Sequence, residues 1–207
     1  MTLRTSWRLS ALLGALAAST ALTACAPLLL GGAMVGSSMM VTDRRTSGSQ
    51  IDDQTIEIKG SKRVGDAIGD RGSVSITSYN RLVLITGAVP TEADKAAVEQ
   101  AVARIESVRS VVTEVAVGAP SSFGARSNDT LLTSKIKASM IDAKDVQANA
   151  FKVVTERGIV YLMGRVTERE AGRATDIARG VSGVQKVVRV FELLSEAELA
   201  NLPKVTQ

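Results

Sequence analysis

The sequence predicts an α+β fold: two tandem α-β-β-α-β units, each a three-stranded mixed sheet packed with two helices. The first observation behind this is an internal repeat. Asn80–Asp94, "NRLVLITGAVPTEAD", and Arg157–Glu170, "RGIVYLMGRVTERE", share an apolar run, a glycine and a Thr-Glu pair. Gly87 falls on Gly164 at an offset of 77 residues; past Pro90, one extra residue in the first copy, the offset is 76 and Thr91-Glu92 meets Thr167-Glu168. On the same register Ala101, Ile105 and Val108 meet Ile177, Val181 and Val184. A fixed period of this kind marks a duplicated compact unit. The second observation is that hydrophobic periodicity switches between strand and helix in the same order in both copies. The third is size: at roughly 70 residues, a unit is near the lower limit for a self-sufficient core, so the two are expected to lean on each other.

The elements follow in chain order. A first helix of the first unit is expected from Asp52-Asp53, read as its cap, although Gly60 and Gly65 each cost roughly 1 kcal/mol against alanine. Residues 73–77 alternate as a short strand, Ser78 to Arg81 form a polar turn, and 82–86 form a fully apolar strand suited to the middle of a sheet. Thr91 then caps a helix with a stripe of Ala97, Val98, Ala101, Val102 and Ile105, and a last strand runs over 108–117. "GAPSSFGARS", residues 118–127, reads as a linker. In the second unit, Asn128 or Asp129 is expected to cap a helix with Leu132, Ile136 and Met140 on one face. Strands at 150–155 and 159–163 follow, around a turn at Glu156–Gly158. Thr167-Glu168-Arg169-Glu170 has the spacing of a capping box, the stripe Ala174, Ile177, Ala178 and Val181 follows, and the last strand covers 184–194. Domain limits on this reading are a signal peptide at 1–24, a flexible tether at 25–47, the first unit at 48–117, the linker, the second unit at 128–194 and a tail at 195–207.

The front end sets the expected compartment. Arg4 and Arg8 form a basic n-region and Leu9 to Ala21 an apolar h-region. Leu22-Thr23-Ala24-Cys25 has the pattern of a bacterial lipobox, with Cys25 as the lipidation site: its thiol would take the diacylglycerol, and cleavage before it would free an amine for a further acyl chain such as palmitate. Ala26 stands where an Asp would favour retention at the inner membrane, so the outer membrane, facing the periplasm, is expected. No charge occurs from Leu9 to Val41, but Ser, Thr, Pro27 and many glycines break that stretch, so it reads as a leader and tether rather than a span.

Composition narrows the function. Loss of residues 1–24 removes Arg4 and Arg8 and no acid, taking the formal charge from +4 to +2. That is too mild for a nucleic-acid partner, and the only tryptophan, Trp7, leaves with the leader. There is no histidine, and the one cysteine is committed to lipid. Ser-His and Cys-His nucleophile pairs and the usual zinc sites are thereby excluded, so no enzyme, metal or cofactor is expected. The carboxylate pairs Asp52/Asp53 and Glu168/Glu170 read as helix caps. Gly87 and Gly164 read as turn glycines, because no phosphate-binding glycine pattern surrounds them.

With these residues in place the chain resembles the BON-domain proteins. The resemblance rests on Gly87 and Gly164 after the second strands, Gly183 before the last one, "NDT" (Asn128 to Thr130), "VTERE" (Val166 to Glu170) and "VSGV" (Val181 to Val184); Ser107 replaces the last glycine in the first copy. Two such units behind a lipobox are similar to the dual-BON outer-membrane lipoproteins. The resemblance implies a non-catalytic envelope protein that supports envelope integrity and contacts an anionic phospholipid membrane through the first helix of the second unit. An adaptor for outer-membrane assembly or cell-wall remodelling machinery is the alternative.

The helix itself can be set against that implication. At about 100° per residue from Leu132, Ile136 and Met140 stay on the core stripe, whereas Leu131 and Ile141 fall at about −100° and 180°. Lys135 and Lys137 flank them, at about −60° and 140°. The expected lipid-binding set is Leu131, Lys135, Ile136, Lys137 and Ile141. Burial of Leu131 and Ile141 against the first unit or the linker is the competing reading. Their first-copy counterparts, Thr55 and Gly65, cannot enter lipid, so the second copy is expected to read the membrane while the first holds and spaces it.

Overall fold

The computed structural model describes residues 43–202. The signal peptide, Cys25, Ala26 and most of the tether lie outside them, as do the last five residues. In order, the elements are α1 (Ser47–Ile68), β1 (Ser73–Tyr79), β2 (Leu82–Val89), α2 (Glu92–Ala103), β3 (Ser110–Val117), α3 (Phe123–Asp142), β4 (Phe151–Glu156), β5 (Ile159–Val166), α4 (Glu168–Gly180), β6 (Lys186–Leu193) and α5 (Glu196–Ala200). Two α-β-β-α-β units are present. In each sheet the middle strand pairs antiparallel with the strand before it and parallel with the strand after the helix, giving the orders β1-β2-β3 and β4-β5-β6.

The middle strands are mostly apolar because both their faces are covered; Thr86 and Arg165 are the exceptions. Val83, Ile85 and Val89 of β2 meet Ile56, Val64, Val98 and Val102 from α1 and α2. Val160, Leu162 and Val166 of β5 meet Ile136, Met140, Ala174 and Ala178 from α3 and α4. The alternate residues Leu84, Tyr161 and Met163 form a third core with Tyr79 and Val190, packed around by Leu82, Val112, Val154 and Ile159. The two sheets therefore pack face to face, and the helices of each unit form the two outer layers. Neither unit has a free sheet face, which meets the expectation that two small cores lean on each other.

Polar contacts rim that inner core. Lys152 pairs with Glu57 at 2.8 Å, the Tyr79 hydroxyl donates to the Ala150 carbonyl, and Glu192 receives Asn80, Arg109 and Arg165. The segment before α1, assigned from sequence to the tether, is docked here. Arg44 donates from both terminal nitrogens to Glu170 at 2.7 Å and to the Arg165 carbonyl at 3.0 Å. Arg45 bonds Asp43 and Asp53 and lies 4.4 Å above the Tyr79 ring. Burial pushes the Tyr79 hydroxyl up to about 12.

The helix starts differ from the sequence expectation. α1 begins at Ser47 behind an N-cap at Thr46, and α3 begins at Phe123 behind Ser122, so the second half of the "linker" is helix. Ser122 accepts from the Ala125 amide, a capping pattern easily read as loop in a Gly/Ser-rich stretch. Asp53 and Asp129 are therefore not caps. Both are buried inside their helices and bind the hairpin turns. Asp53 accepts from the Asn80 and Arg81 amides at 2.8 and 2.7 Å, and Asp129 from the Arg157 and Gly158 amides at 2.8 Å each. Those two-residue turns have positive φ at both positions, including Arg81 (67°) and Arg157 (53°), as hairpins of this length favour. Thr91 and Thr167 do cap α2 and α4, the latter in a full capping box with Glu170. The start of the expected tail holds a short helix, Glu196–Ala200, with its own capping box at Ser195.

Candidate functional site

α3 is the element on which the sequence expectation centres. Its core stripe is Leu132, Ile136 and Met140, all buried, with Asp129 one turn earlier on the same side. Ile136 is fully buried in the outer core of the second unit, so its assignment to the lipid-binding set is corrected. A side chain at about 40° from Leu132 faces the sheet and cannot reach a surface. Leu131 and Ile141 are free of the core, 60% and 71% exposed, and do not bury against the first unit or the linker. Lys135 and Lys137 are exposed and form no ion pair among the described residues.

The structure adds a residue that sequence reasoning placed in the linker. Phe123, in the first turn of α3, is 79% exposed. It precedes Ile141 by five full turns, so both project from the line opposite the core. Arg126 is exposed a turn further on and is also free of ion pairs among the described residues. The signal available in the sequence was Ser122, a cap just before a large aromatic. α3 thus carries three unpaired cations and three exposed apolar side chains, with Asp142 as its only exposed acid.

The first unit is less bare than Thr55 and Gly65 imply. Ile51 and Ile58 of α1 are 64% and 72% exposed, two turns apart. The repeat places Ser127 and Ser134 at those positions in α3. The surrounding charges are largely paired: Lys62 with Asp66 at 2.7 Å and Arg81 with Asp52 at 2.8 Å, with Lys59 4.0 Å from Glu106. Both copies therefore expose apolar side chains on their first helices; α1 keeps one exposed cation without an ion pair among the described residues, Arg63, whereas α3 has three, Arg126, Lys135 and Lys137.

The structural glycines have different reasons. Gly87 has φ of 117°, and a Cβ there would overlap the Ser73 carbonyl. Gly164 does not have positive φ; a Cβ would stand 2.5 Å from the Ala150 carbonyl oxygen, so close backbone approach is what excludes a side chain. Gly183 has φ of 100°, and a Cβ on it would stand 3.0 Å from Leu132 Cδ2, while its counterpart Ser107 holds φ of 69° without the freedom of a glycine. Among the described residues no group of side chains is arranged to hold a metal ion, and no helix is long and apolar enough to cross a membrane.

Comparison with known proteins agrees with this architecture. The chain is 39% identical to the outer membrane lipoprotein DolP of Haemophilus influenzae, over 94% of this chain and 100% of that one. It is 31% identical to a 21 kDa hemolysin of Actinobacillus pleuropneumoniae, over 72% of this chain and 78% of that one. The osmotically-inducible protein Y of Escherichia coli is 29% identical, over 68% of this chain and 72% of that one. A family model for the BON domain matches residues 52–119 and 128–194, one match on each structural unit, and the chain belongs to the BON-domain family.

Proposed function

We propose that the protein is a non-catalytic outer-membrane lipoprotein, anchored through acylated Cys25, that lays α3 on anionic phospholipid and supports envelope integrity. The observation that carries this is the exposed face of α3, with Phe123, Leu131 and Ile141 set among Arg126, Lys135 and Lys137. Apolar tips suit the acyl boundary, an aromatic ring suits the headgroup level, and cations suit lipid phosphate. Full burial of a Leu, Ile or Phe side chain contributes roughly 1.5–3 kcal/mol, and each cation near an anionic surface about 1 kcal/mol. Even partial insertion therefore matches the electrostatic part, so salt should weaken binding without abolishing it. The lipobox and the 39% identity to an outer membrane lipoprotein support the anchor and the location.

Co-sedimentation of the soluble 43–207 fragment with vesicles tests the reading. Binding to vesicles containing anionic lipid is expected, with little binding to zwitterionic ones. Equal recovery with both, or with neither, would contradict it.

The adaptor reading has one observation in its favour. Ile51 and Ile58 lie in the outer layer opposite α3, so a molecule resting on α3 would turn them away from the bilayer. Their mostly neutralised surroundings suit a protein surface better than an anionic one.

A further inference from the structure

Resting on the lipid-facing reading of α3, we propose that the depression beside the α4–β6 loop receives the phosphate of an anionic lipid headgroup. The depression measures about 430 Å³ and is lined by Arg179, Val184, Gln185, Lys186 and Val187. Arg179 lies in the last turn of α4 and Lys186 opens β6, so two elements converge their cations on one opening. Neither forms an ion pair among the described residues, in a molecule where most other arginines are paired. No carboxylate lines the depression; Asp176, one turn before Arg179, is the nearest acid along α4 and bonds neither cation. Val184 and Val187 are half-buried and give it an apolar wall. A guanidinium fork and an ammonium beside an apolar wall fit a phosphodiester that carries a hydrocarbon stem.

Its position ties it to α3. Gly183, in the same loop, lies so near α3 that a Cβ on it would stand 3.0 Å from Leu132 Cδ2, and the Gln185 amide donates to the Gly158 carbonyl at 2.9 Å. The Gly158 amide in turn donates to Asp129 of α3. The turn of α3 that carries Leu131 is thus fixed against the loop that forms the depression. A lipid whose acyl chains meet Leu131 has a cationic receptor for its headgroup within the same structural unit. The apolar residues of α3 then supply insertion, and the depression supplies headgroup preference.

The test uses the unlipidated chain 25–207 bearing Cys25→Ser, so that no acyl anchor masks the binding. Partition onto phosphatidylglycerol vesicles is measured for this chain, for Arg179→Ala/Lys186→Ala, for the charge-preserving Arg179→Lys, and for Arg169→Ala/Arg173→Ala. The last pair lies on α4 outside the depression. The pocket double variant is expected to bind about 30-fold more weakly, Arg179→Lys about fivefold, and the control pair within about threefold of the parent. Equal losses in both double variants, or no loss in Arg179→Lys, would reduce the effect to diffuse charge and overturn the proposal. If the parent chain ignores the vesicles, the lipid reading of α3 falls and takes this one with it. If the parent binds and the pocket variant binds as well as it does, the headgroup site alone falls. Inorganic phosphate and glycerol phosphate provide the other arm. Amide shifts at Gln185 and Lys186 should require far more soluble anion than vesicle lipid, and tighter binding of the soluble anions would identify a free phosphate as the occupant instead.

Discussion

Asp53 and Asp129 show how much of this fold rests on single side chains. Each is a carboxylate buried in the first helix of its unit, and each accepts both amides of a two-residue turn held at positive φ. A buried donor left unpaired costs about 1–3 kcal/mol. Asp129→Ala strands two, so it should lower the unfolding free energy of the 43–207 fragment by at least about 2 kcal/mol in urea titration. A loss under about 0.5 kcal/mol would mean that water replaces the carboxylate. Ser107 makes the opposite case. It occupies the left-handed region where the second copy has Gly183, at a cost of roughly 1 kcal/mol for a residue with a Cβ. Ser107→Gly should therefore raise the urea midpoint, by an increment near 1 kcal/mol. An unchanged or lower midpoint would show that the chain entropy of the added glycine outweighs the relieved strain.

The element most altered from its sequence reading is the short segment ahead of α1. Arg44 and Glu170 form a buried bidentate pair, and Glu170 also accepts from the Thr167 amide to cap α4. The Arg44 hydrogen bonds, with help from that amide, hold the Glu170 carboxyl below its ordinary value of 4.5 against the opposing pull of burial. Because the folded value is the lower one, this stability is complete above pH 4.5 and drains away as pH falls through the depressed value. Urea midpoints measured from pH 7 down to pH 3 should fall less steeply in Arg44→Ala than in the parent, and parallel slopes would remove the pair from the acid response. Nothing in the sequence disclosed this clamp, since an arginine 126 residues from its partner carries no local signal. The central strands and the Thr91 and Thr167 caps were legible, because period and cap spacing are local properties. The starts of α1 and α3 were not. Small polar residues at 46–50 and 118–127 carry no apolar stripe, and helix there depends on Thr46 and Ser122 as caps. Phe123 falls in that second stretch and so read as part of the linker.

At the scale of the whole molecule, two sheets stacked face to face leave two outward helical layers, and duplication has given them different surfaces. α3 combines exposed apolar residues with free cations, whereas α1 exposes Ile51 and Ile58 among charges that are mostly paired. The face-to-face arrangement was only partly legible: the apolar runs of the middle strands and the small size of each unit pointed to central strands and to units that lean on each other, but not to sheet-on-sheet packing. On the proposed reading, one copy meets the membrane and the other does not. Vesicle binding of two matched variants of the 43–207 fragment tests it most directly: Phe123→Glu/Leu131→Glu/Ile141→Glu on α3, and Ile51→Glu/Ile58→Glu on α1. All five side chains are exposed, so both variants should keep the parent's circular-dichroism melt. The α3 variant should lose at least about 100-fold in partition onto anionic vesicles, while the α1 variant stays within about threefold of the parent. Equal losses in the two variants, or binding that survives in the α3 variant, would contradict the division of labour.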